Sequence, residues 1–377
     1  MSLVLAGLVA PAVAQESPVS MRNVGWQEQM KKASEAMAKK DVEAARGLLE
    51  TVRNDALARR DDAAGLAAVR MLALLARTSG DWGKTEDWLA EALDYTGRLK
   101  GYKSLDAADV MTEIAGARRA RENFDGASAI LQEALNIASS TTAERARAAR
   151  IATTLGLVHL ERNEADQSRE VLLLAVSLWN GTMQEDPELL PALETLGAIL
   201  RDKNEYDQAA PLYERSLRIR EMSFGPKSAE LIVGLDNLAY VYFGLMRYAD
   251  AEPLYKRLLD IWTATGGPEH PMLALTMDKI AEFYAAQGRF LEADEMANRA
   301  ATIRARSFVE SLRLRARLAA LMNKPEDAIG FSEKVVQVID IAGLPNPKQK
   351  MLPTPKDAKP VPPAKPNAAK PARAVNR

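Results

Sequence analysis

Short side chains recur along this sequence at one fixed spacing, and that spacing restricts the fold more than any other feature. In eight places a short residue is followed by a second short residue twelve positions later. The pairs are Ala33–Ala45, Ala73–Thr85, Ala115–Ala127, Gly156–Ser168, Gly197–Ala209, Ala239–Ala251, Ala281–Ala293 and Ala316–Ala328. Two antiparallel helices joined by a tight turn approach closely only where both facing side chains are short. The spacing therefore predicts eight helical hairpins.

The hairpins repeat with a period of about 42 residues. Tyr206, Tyr248 and Phe290 stand 42 positions apart, as do Trp82 and Phe124. A period of 20–50 residues is typical of stacked supersecondary units. Only 6% of the residues are aromatic although 47% are hydrophobic, which favours helices over sheets. We therefore predict an all-α fold of about eight antiparallel helix pairs.

Turn-forming residues separate the two members of each pair. Gly80, Asn123, Asn163, Asn204 and Gly288 lie at these points. Glycine and asparagine can end a helix in the left-handed conformation, and asparagine can also cap the next helix. Each pair is therefore expected to be a first helix, a short turn and a second helix.

The two terminal intervals are shorter than the others. Ala33 and Ala73 are 40 residues apart, and Ala281 and Ala316 are 35 apart. Terminal units of repeat proteins commonly depart from the consensus because they cap the array. The two short intervals therefore define the limits of the first and last units less sharply than the 42-residue period defines the others.

The clearest copies of the 42-residue period resemble tetratricopeptide repeats, and more narrowly the 42-residue repeats of kinesin light chains. Gly267–Pro271 is similar to the family's Gly-Pro-Asp-His-Pro linker. Leu235–Ala239 is similar to its Leu-Asn-Asn-Leu-Ala segment, and Ala251–Arg257 is similar to its second helix. The resemblance covers about residues 27–342. It implies a right-handed superhelical solenoid, which we place at residues 26–343, with the first helix of each pair lining the concave face.

The N-terminal residues resemble a secretory signal. An apolar run over Leu3–Ala10 is followed by Ala12-Val13-Ala14, a small-x-small cleavage pattern, although no basic residue precedes the run. We interpret residues 1–14 as a signal peptide and residues 15–25 as a linker. This interpretation predicts an exported bacterial protein, periplasmic or extracellular, and a cytoplasmic location is the alternative.

The C-terminal residues 344–377 form a basic tail. They contain eight Lys or Arg residues against Asp357, and nine prolines lie within residues 345–371. A segment with so little apolar surface is expected to stay disordered. The whole chain has a net charge of −1, so a tail of +7 leaves −8 for the remainder. An acidic body is unlike a nucleic-acid-binding surface.

Residues able to carry out chemistry are sparse. The absence of cysteine excludes disulfides, thiolate metal sites and cysteine nucleophiles. His159 and His270 are 111 positions apart, too far for a His-x-x-x-His zinc motif. Gly83-Lys84-Thr85 is similar to the end of a phosphate-binding loop, but Thr78 stands where that motif requires glycine. We therefore expect no catalytic residue, no metal and no cofactor, and hence no enzyme.

The family resemblance predicts where a partner could bind. If first helices line the concave face, a set of their residues faces it. The candidate binding residues are Arg70, Arg77, Arg119, Arg201, Asp236, Asn237, Tyr240 and Phe243. Arginines suit the carboxylates of an extended acidic peptide, because guanidinium forms paired charged hydrogen bonds. Solvated arginines without a binding role are the alternative.

Within that set, Asn237 matches the family's groove asparagine that contacts peptide backbone. The equivalent positions in the neighbouring repeats hold Thr195 and Lys279. The family's clamp for a C-terminal carboxylate is therefore not reproduced.

Taken together, these features predict a non-enzymatic scaffold that binds a protein or an extended peptide on the concave face. The alternative is a structural accessory subunit of a bacterial envelope enzyme or secretion complex. We expect neither nucleic-acid binding nor stable membrane insertion, and the sequence leaves the oligomeric state open.

Overall fold

The computed structural model describes residues 24–139, 144–180 and 185–344. Every regular element in these ranges is helical. Their fifteen α-helices are α1 (Val24–Ala38), α2 (Val42–Arg59), α3 (Asp62–Thr78), α4 (Trp82–Lys100), α5 (Leu105–Ala120), α6 (Phe124–Ala138), α7 (Arg145–Glu161), α8 (Ala165–Asn180), α9 (Leu190–Asp202), α10 (Tyr206–Phe224), α11 (Ile232–Gly244), α12 (Tyr248–Gly266), α13 (Pro271–Ala286), α14 (Phe290–Leu321) and α15 (Pro325–Ile341). The predicted signal peptide, most of the predicted linker and the basic tail after Leu344 lie outside the described residues.

The chain divides into two units, and each is an array of helical hairpins. Unit 1 extends to Ser223 and contains hairpins 1 to 5, from α1/α2 to α9/α10. Unit 2 begins at Phe224 and contains hairpin 6, α11/α12. It also contains hairpins 7 and 8, which are α13 with the first half of α14 and the second half of α14 with α15. The predicted all-α repeat of about eight antiparallel helix pairs is confirmed.

The short residues lie where the two helices of a hairpin meet. Fourteen of the sixteen are buried, and Ala281 and Ala328 are half-buried. In hairpin 4 the Ser168 hydroxyl donates a hydrogen bond to the Gly156 carbonyl oxygen at 2.7 Å. A Cβ atom added at Gly156 would lie 2.6 Å from the Leu172 side chain, so only glycine fits there. Short side chains therefore set the distance between the paired helices.

Within unit 1, consecutive hairpins pack through the second helix of one and the first helix of the next. In unit 1, Leu89 and Ala92 of α4 share a buried cluster with Val110 and Ile114 of α5. Burial of these aliphatic side chains supplies the main stabilisation between neighbouring hairpins, at about 25 cal/mol per Å² of apolar surface. The first helices are thereby held side by side.

The turns inside the hairpins follow the sequence prediction. Gly80, Asn163, Asn204 and Gly288 adopt positive φ angles between 58° and 77° just after a first helix. Asn123 instead is the N-cap of α6, because its side chain accepts a hydrogen bond from the Gly126 N–H at 3.0 Å. Backbone geometry at these residues reverses the chain and satisfies the free ends of the helices.

The junction between hairpins 7 and 8, where the repeat interval is shortest, contains no turn, because α14 runs through it without a break. Gly225 and Gly267, both with positive φ and both followed by proline, follow the ends of α10 and α12. The residue 42 positions after Gly267 is Val309, followed by Glu310. Neither residue stops a helix. The 35-residue interval between Ala281 and Ala316 therefore reflects a missing linker, and the two hairpins share one helix.

Candidate peptide-binding groove

A groove lies in unit 1 between the first helices of hairpins 2 and 3. Its volume is about 360 Å³. The lining residues come from α3, α4 and α5 and are Arg70, Ala73, Leu74, Arg77, Trp82, Thr85, Leu89, Thr112, Glu113, Gly116 and Ala117. Short residues of the hairpin pattern form part of the wall, which leaves room between the helices. The groove therefore follows directly from the spacing that builds the fold.

Two of the predicted binding residues, Arg70 and Arg77, lie together in this groove. They stand two turns apart on α3. Arg70 forms an ion pair with Glu113 of α5. Arg77 is exposed and makes no ion pair among the described residues. The groove therefore presents one guanidinium that is neutralised within the chain and one that is available to a ligand.

Arg119 is held by the next hairpin. Its Nε and Nη2 atoms donate to the Glu161 carboxylate of α7 at 2.7 and 2.6 Å. These hydrogen bonds raise the pKa of Arg119 above its usual range. An acidic ligand at Arg119 has to displace Glu161. Arg201 lies on α9 and contacts the neighbouring Asp202 at 2.9 Å.

The other four predicted residues lie on α11 in unit 2. Asp236 accepts hydrogen bonds from Lys279 Nζ of α13 at 2.8 and 2.6 Å. Tyr240 is 48% exposed, and Asn237 is half-buried. The ring of Phe243 is half-buried, with its centroid 5.9 Å from that of Phe283. Asp236 and Phe243 therefore both connect hairpin 6 to hairpin 7.

The carboxylates opposite the arginines are residues that the sequence prediction missed. Glu113 follows Arg70 by 43 positions, and Glu161 follows Arg119 by 42. Opposite charges one repeat period apart on first helices face each other when the hairpins stack. A carboxylate 42 or 43 positions after the arginine was the available sequence signal. Arg77 has Arg119 and Ala120 at those positions, so it has no such carboxylate on the next first helix.

Both histidines have structural partners. His159 Nδ1 lies 2.7 Å from a carboxylate oxygen of Glu164, and its side chain is mostly buried. His270 caps α13, since its Nδ1 accepts a hydrogen bond from the Met272 N–H at 3.2 Å. Its ring also stacks on Trp262 with centroids 5.0 Å apart. His270 therefore caps the helix that follows the Gly267–Pro271 linker.

Within residues 24–139, 144–180 and 185–344, no group of three or more His, Cys, Asp or Glu side chains is arranged to hold a metal ion. None of the helices in these ranges combines the length and the apolar character that crossing a bilayer requires.

Comparison with solved structures supports the repeat fold at low sequence identity. A signal-transduction ATPase from Pyrococcus horikoshii with a tetratricopeptide-repeat sensor is 14% identical, with a TM-score of 0.54 over 73% of this chain and 41% of that one. The C-terminal part of a tetratricopeptide-repeat protein from Cytophaga hutchinsonii is 12% identical, with a TM-score of 0.52 over 72% and 93%. A putative kinesin light chain from Podosopora anserina is 15% identical, with a TM-score of 0.44 over 53% and 96%.

Comparison at the level of sequence identifies the repeat itself. No curated protein matches the chain. A tetratricopeptide-repeat family model matches residues 147–222 and 228–306, which include the segments whose resemblance was described above. The fold of paired helices and these two matches agree: the chain contains tetratricopeptide repeats.

Proposed function

We propose that this protein is a non-enzymatic scaffold that binds an acidic, extended segment of a partner protein in the groove between α3 and α5. The observation that carries the proposal is that Arg77 makes no ion pair among the described residues. Arg70 and Arg119, by contrast, are each neutralised by a carboxylate of the next hairpin. A free guanidinium in a groove is a binding site for a carboxylate.

The rest of the groove suits a peptide more than a compact cofactor. Leu74, Trp82 and Leu89 provide apolar surface. Gly116 has no side chain, so α5 does not fill the groove at that point. Glu113 cancels the charge of Arg70, so the net positive charge lies at Arg77. An extended chain can place one acidic side chain at Arg77 and a small apolar side chain on the wall. We therefore expect recognition of a short segment with one essential Asp or Glu.

Binding of a peptide panel tests this proposal. Labelled extended peptides, each with one Asp or Glu, are compared with the same peptides carrying Asn or Gln, with fluorescence anisotropy as the readout. Acidic peptides are expected to bind more tightly, and Arg77→Ala to weaken that binding about tenfold or more, because a charged hydrogen bond contributes about 1.5–3 kcal/mol. Arg218→Ala is the matched control, since Arg218 is an exposed arginine of α10 without an ion pair among the described residues.

Three outcomes contradict the proposal. They are equal binding of the acidic and amide peptides, equal loss in the Arg77→Ala and Arg218→Ala variants, and no binding by any peptide of the panel. Raising the salt concentration provides a further check, since binding to an exposed guanidinium weakens as ionic strength rises.

We also propose that the protein is exported. The support is the apolar run Leu3–Ala10 with its Ala12-Val13-Ala14 end. Expression of the full chain in a bacterial host, followed by fractionation and N-terminal sequencing, is expected to yield extracytoplasmic protein beginning at Gln15. A cytoplasmic protein that retains residues 1–14 contradicts this proposal.

A further inference from the structure

Two positions that are buried in the interior of the array become exposed on α14. The first is two residues after the short residue of the first helix in hairpins 2 to 8; in the terminal hairpin 1 it is the exposed Glu35. Its exposed fractions are 5% for Leu75, 2% for Ala117, 0% for Val158, 6% for Ile199, 0% for Val241, 1% for Phe283 and 47% for Leu318. The second half of α14 therefore has a face that its counterparts bury.

The second position is four residues after the short residue of the second helix in hairpins 1 to 7. Its exposed fractions are 0% for Leu49, 3% for Leu89, 0% for Leu131, 0% for Leu172, 0% for Tyr213 and 3% for Tyr255. On the first half of α14 the equivalent residue is Ala297, which is exposed. The first half of α14 therefore also has an uncovered face.

These two positions meet each other where one hairpin packs on the next. In unit 2 the ring centroids of Tyr255 on α12 and Phe283 on α13 are 5.2 Å apart. The equivalent residues at the next junction are Ala297 and Leu318. Both lie on α14, 21 residues and about 31 Å apart at 1.5 Å per residue, so they do not meet within one chain.

The two uncovered faces belong to one continuous seam along α14. Its seven residues alternate in spacings of four and three, and all of them are exposed: Ala297, Ala301, Arg304, Phe308, Ser311, Arg315 and Leu318. This spacing keeps the seven residues on one side of α14. The charges on the seam have partners within the chain, since Arg304 pairs with Asp278 and Arg315 lies 4.3 Å from the Phe331 ring.

The neighbouring helices leave the seam free because they pack on other sides of α14. Leu273 and Met277 of α13 contact Ala300 and Ile303. Val335 and Ile339 of α15 instead contact Val309 and Leu312.

We propose that α14 pairs in antiparallel orientation with α14 of a second copy of this chain. The two-fold axis passes between Ser307 and Phe308, so that Ala297 of each copy meets Leu318 of the other copy. This contact reproduces the one between Tyr255 and Phe283. A second copy supplies both missing faces at once, and a two-fold interface requires such self-complementarity. The interface lies in unit 2 and does not depend on the proposed peptide groove.

The molecular mass in solution is the first test. Light scattering coupled to size exclusion is expected to give twice the mass of one chain at micromolar concentration. Leu318→Glu is expected to weaken dimerisation at least tenfold with unchanged helical circular dichroism. Leu173→Glu on α8 is the control, since Leu173 is 49% exposed and Leu318 is 47% exposed. A single-chain mass for the unmodified protein up to about 100 µM overturns the proposal, and so does equal weakening by both variants.

Cysteine cross-linking tests the geometry, because the chain contains no cysteine of its own. Ala297→Cys and Leu318→Cys chains are prepared separately, mixed and oxidised. The mixture is expected to form a disulfide-linked dimer, because the two Cα atoms come within about 7 Å. Each variant alone is expected to stay uncross-linked, since identical positions lie about 31 Å apart along an antiparallel pair. Absence of cross-linking in the mixture, or equal cross-linking in the separate samples, overturns the arrangement.

Discussion

At the residue scale, the short side chains inside the hairpins tolerate little enlargement. Leu172, which a Cβ at Gly156 would meet at 2.6 Å, is fully buried and has no room to move away. Gly156→Val is therefore expected to destabilise the protein by about 1–3 kcal/mol through overpacking. The midpoint of urea unfolding measures the change.

Gly47→Ala is the control for that substitution. Gly47 is exposed on α2, and a Cβ there has no neighbour within 4 Å. Replacing this helical glycine by alanine is expected to raise stability by about 0.5–1 kcal/mol. A destabilisation of similar size at both glycines would show that the packing argument at Gly156 is wrong.

The acid stability of the protein is expected to depend on one carboxylate of hairpin 6. Hydrogen bonds from Arg289 and Lys256 lower the pKa of Glu252 from 4.5 to about 2. The unfolded chain thus takes up this proton near pH 4.5, while the folded chain takes it up only near pH 2. The stabilisation is complete above about pH 4.5 and is lost as the pH falls toward about 2.

Comparison of two Glu→Gln variants measures this effect. Glu252→Gln is expected to flatten the pH dependence of the unfolding free energy between about pH 5 and pH 2. Glu170→Gln is the control, because Glu170 is exposed on α8 and has no ion pair among the described residues. Identical pH profiles for the two variants would contradict the role of Glu252.

The sequence indicates which arginines lie on the first helices, but it does not show which of them lacks an ion pair. Arg70, Arg77 and Arg119 are equivalent as an arginine pattern. Their difference arises from Glu113 and Glu161, which belong to the next first helices and become neighbours only after stacking. A pattern read along one helix does not contain that contact.

At the element scale, ion pairs one period apart connect neighbouring first helices. The contact between Arg119 on α5 and Glu161 on α7 is the clearest case, with a bidentate geometry. Its side chains remain 39% and 33% exposed, so solvent screens much of the attraction. A double-mutant cycle with Arg119→Ala and Glu161→Ala is expected to give a coupling free energy of about 0.2–1 kcal/mol.

The salt dependence of this coupling and a control cycle test the prediction. The coupling is expected to decrease as salt is added, because exposed charges are screened. A cycle between Arg119 and Glu170, which do not form an ion pair, supplies the baseline. Equal coupling in the two cycles would mean that the ion pair contributes nothing measurable between the hairpins.

The helix ends illustrate why most elements, but not all, follow from the sequence. Gly225 and Gly267 end their helices through a positive φ angle and a following proline, both of which the sequence displays. The continuity of α14 depends on the absence of such a signal at Val309. The short residues on either side, Ala293 and Ala316, fit either two helices or one. The pair spacing therefore locates the hairpins but does not fix the connection between hairpins 7 and 8.

At the scale of the whole molecule, the terminal hairpin is expected to open most readily. Only Val335 and Ile339 are buried among the 17 residues of α15, whereas α6 buries six of its 15. In a repeat array, stability is approximately a sum of terms from each unit and from its contacts with neighbours. Hydrogen exchange followed by mass spectrometry is expected to show faster exchange for α15 than for α6. Equal protection of the two helices would contradict this prediction.

The period of 42 residues makes the order of helices predictable because each hairpin is a local structure. Every short-residue pair joins positions only twelve apart, so the prediction of a hairpin needs no long-range information. The second copy at α14, by contrast, is inferred from burial, since Ala297 and Leu318 are exposed where their counterparts are buried. Sequence patterning therefore specifies the hairpins. The surfaces that the array leaves uncovered are recognised only from the three-dimensional structure.

The continuous α14 has a consequence for how arrays of this kind can change during evolution. The interval between Ala281 and Ala316 is 35 residues, seven fewer than the common period. Seven residues are close to two helical turns, so their loss leaves the following apolar stripe rotated by only about 20°. An in-frame deletion of seven codons that removes a glycine–proline linker is thus sufficient to fuse two hairpins while preserving their packing faces. One small genetic event can convert a self-contained end of the array into a surface for self-association.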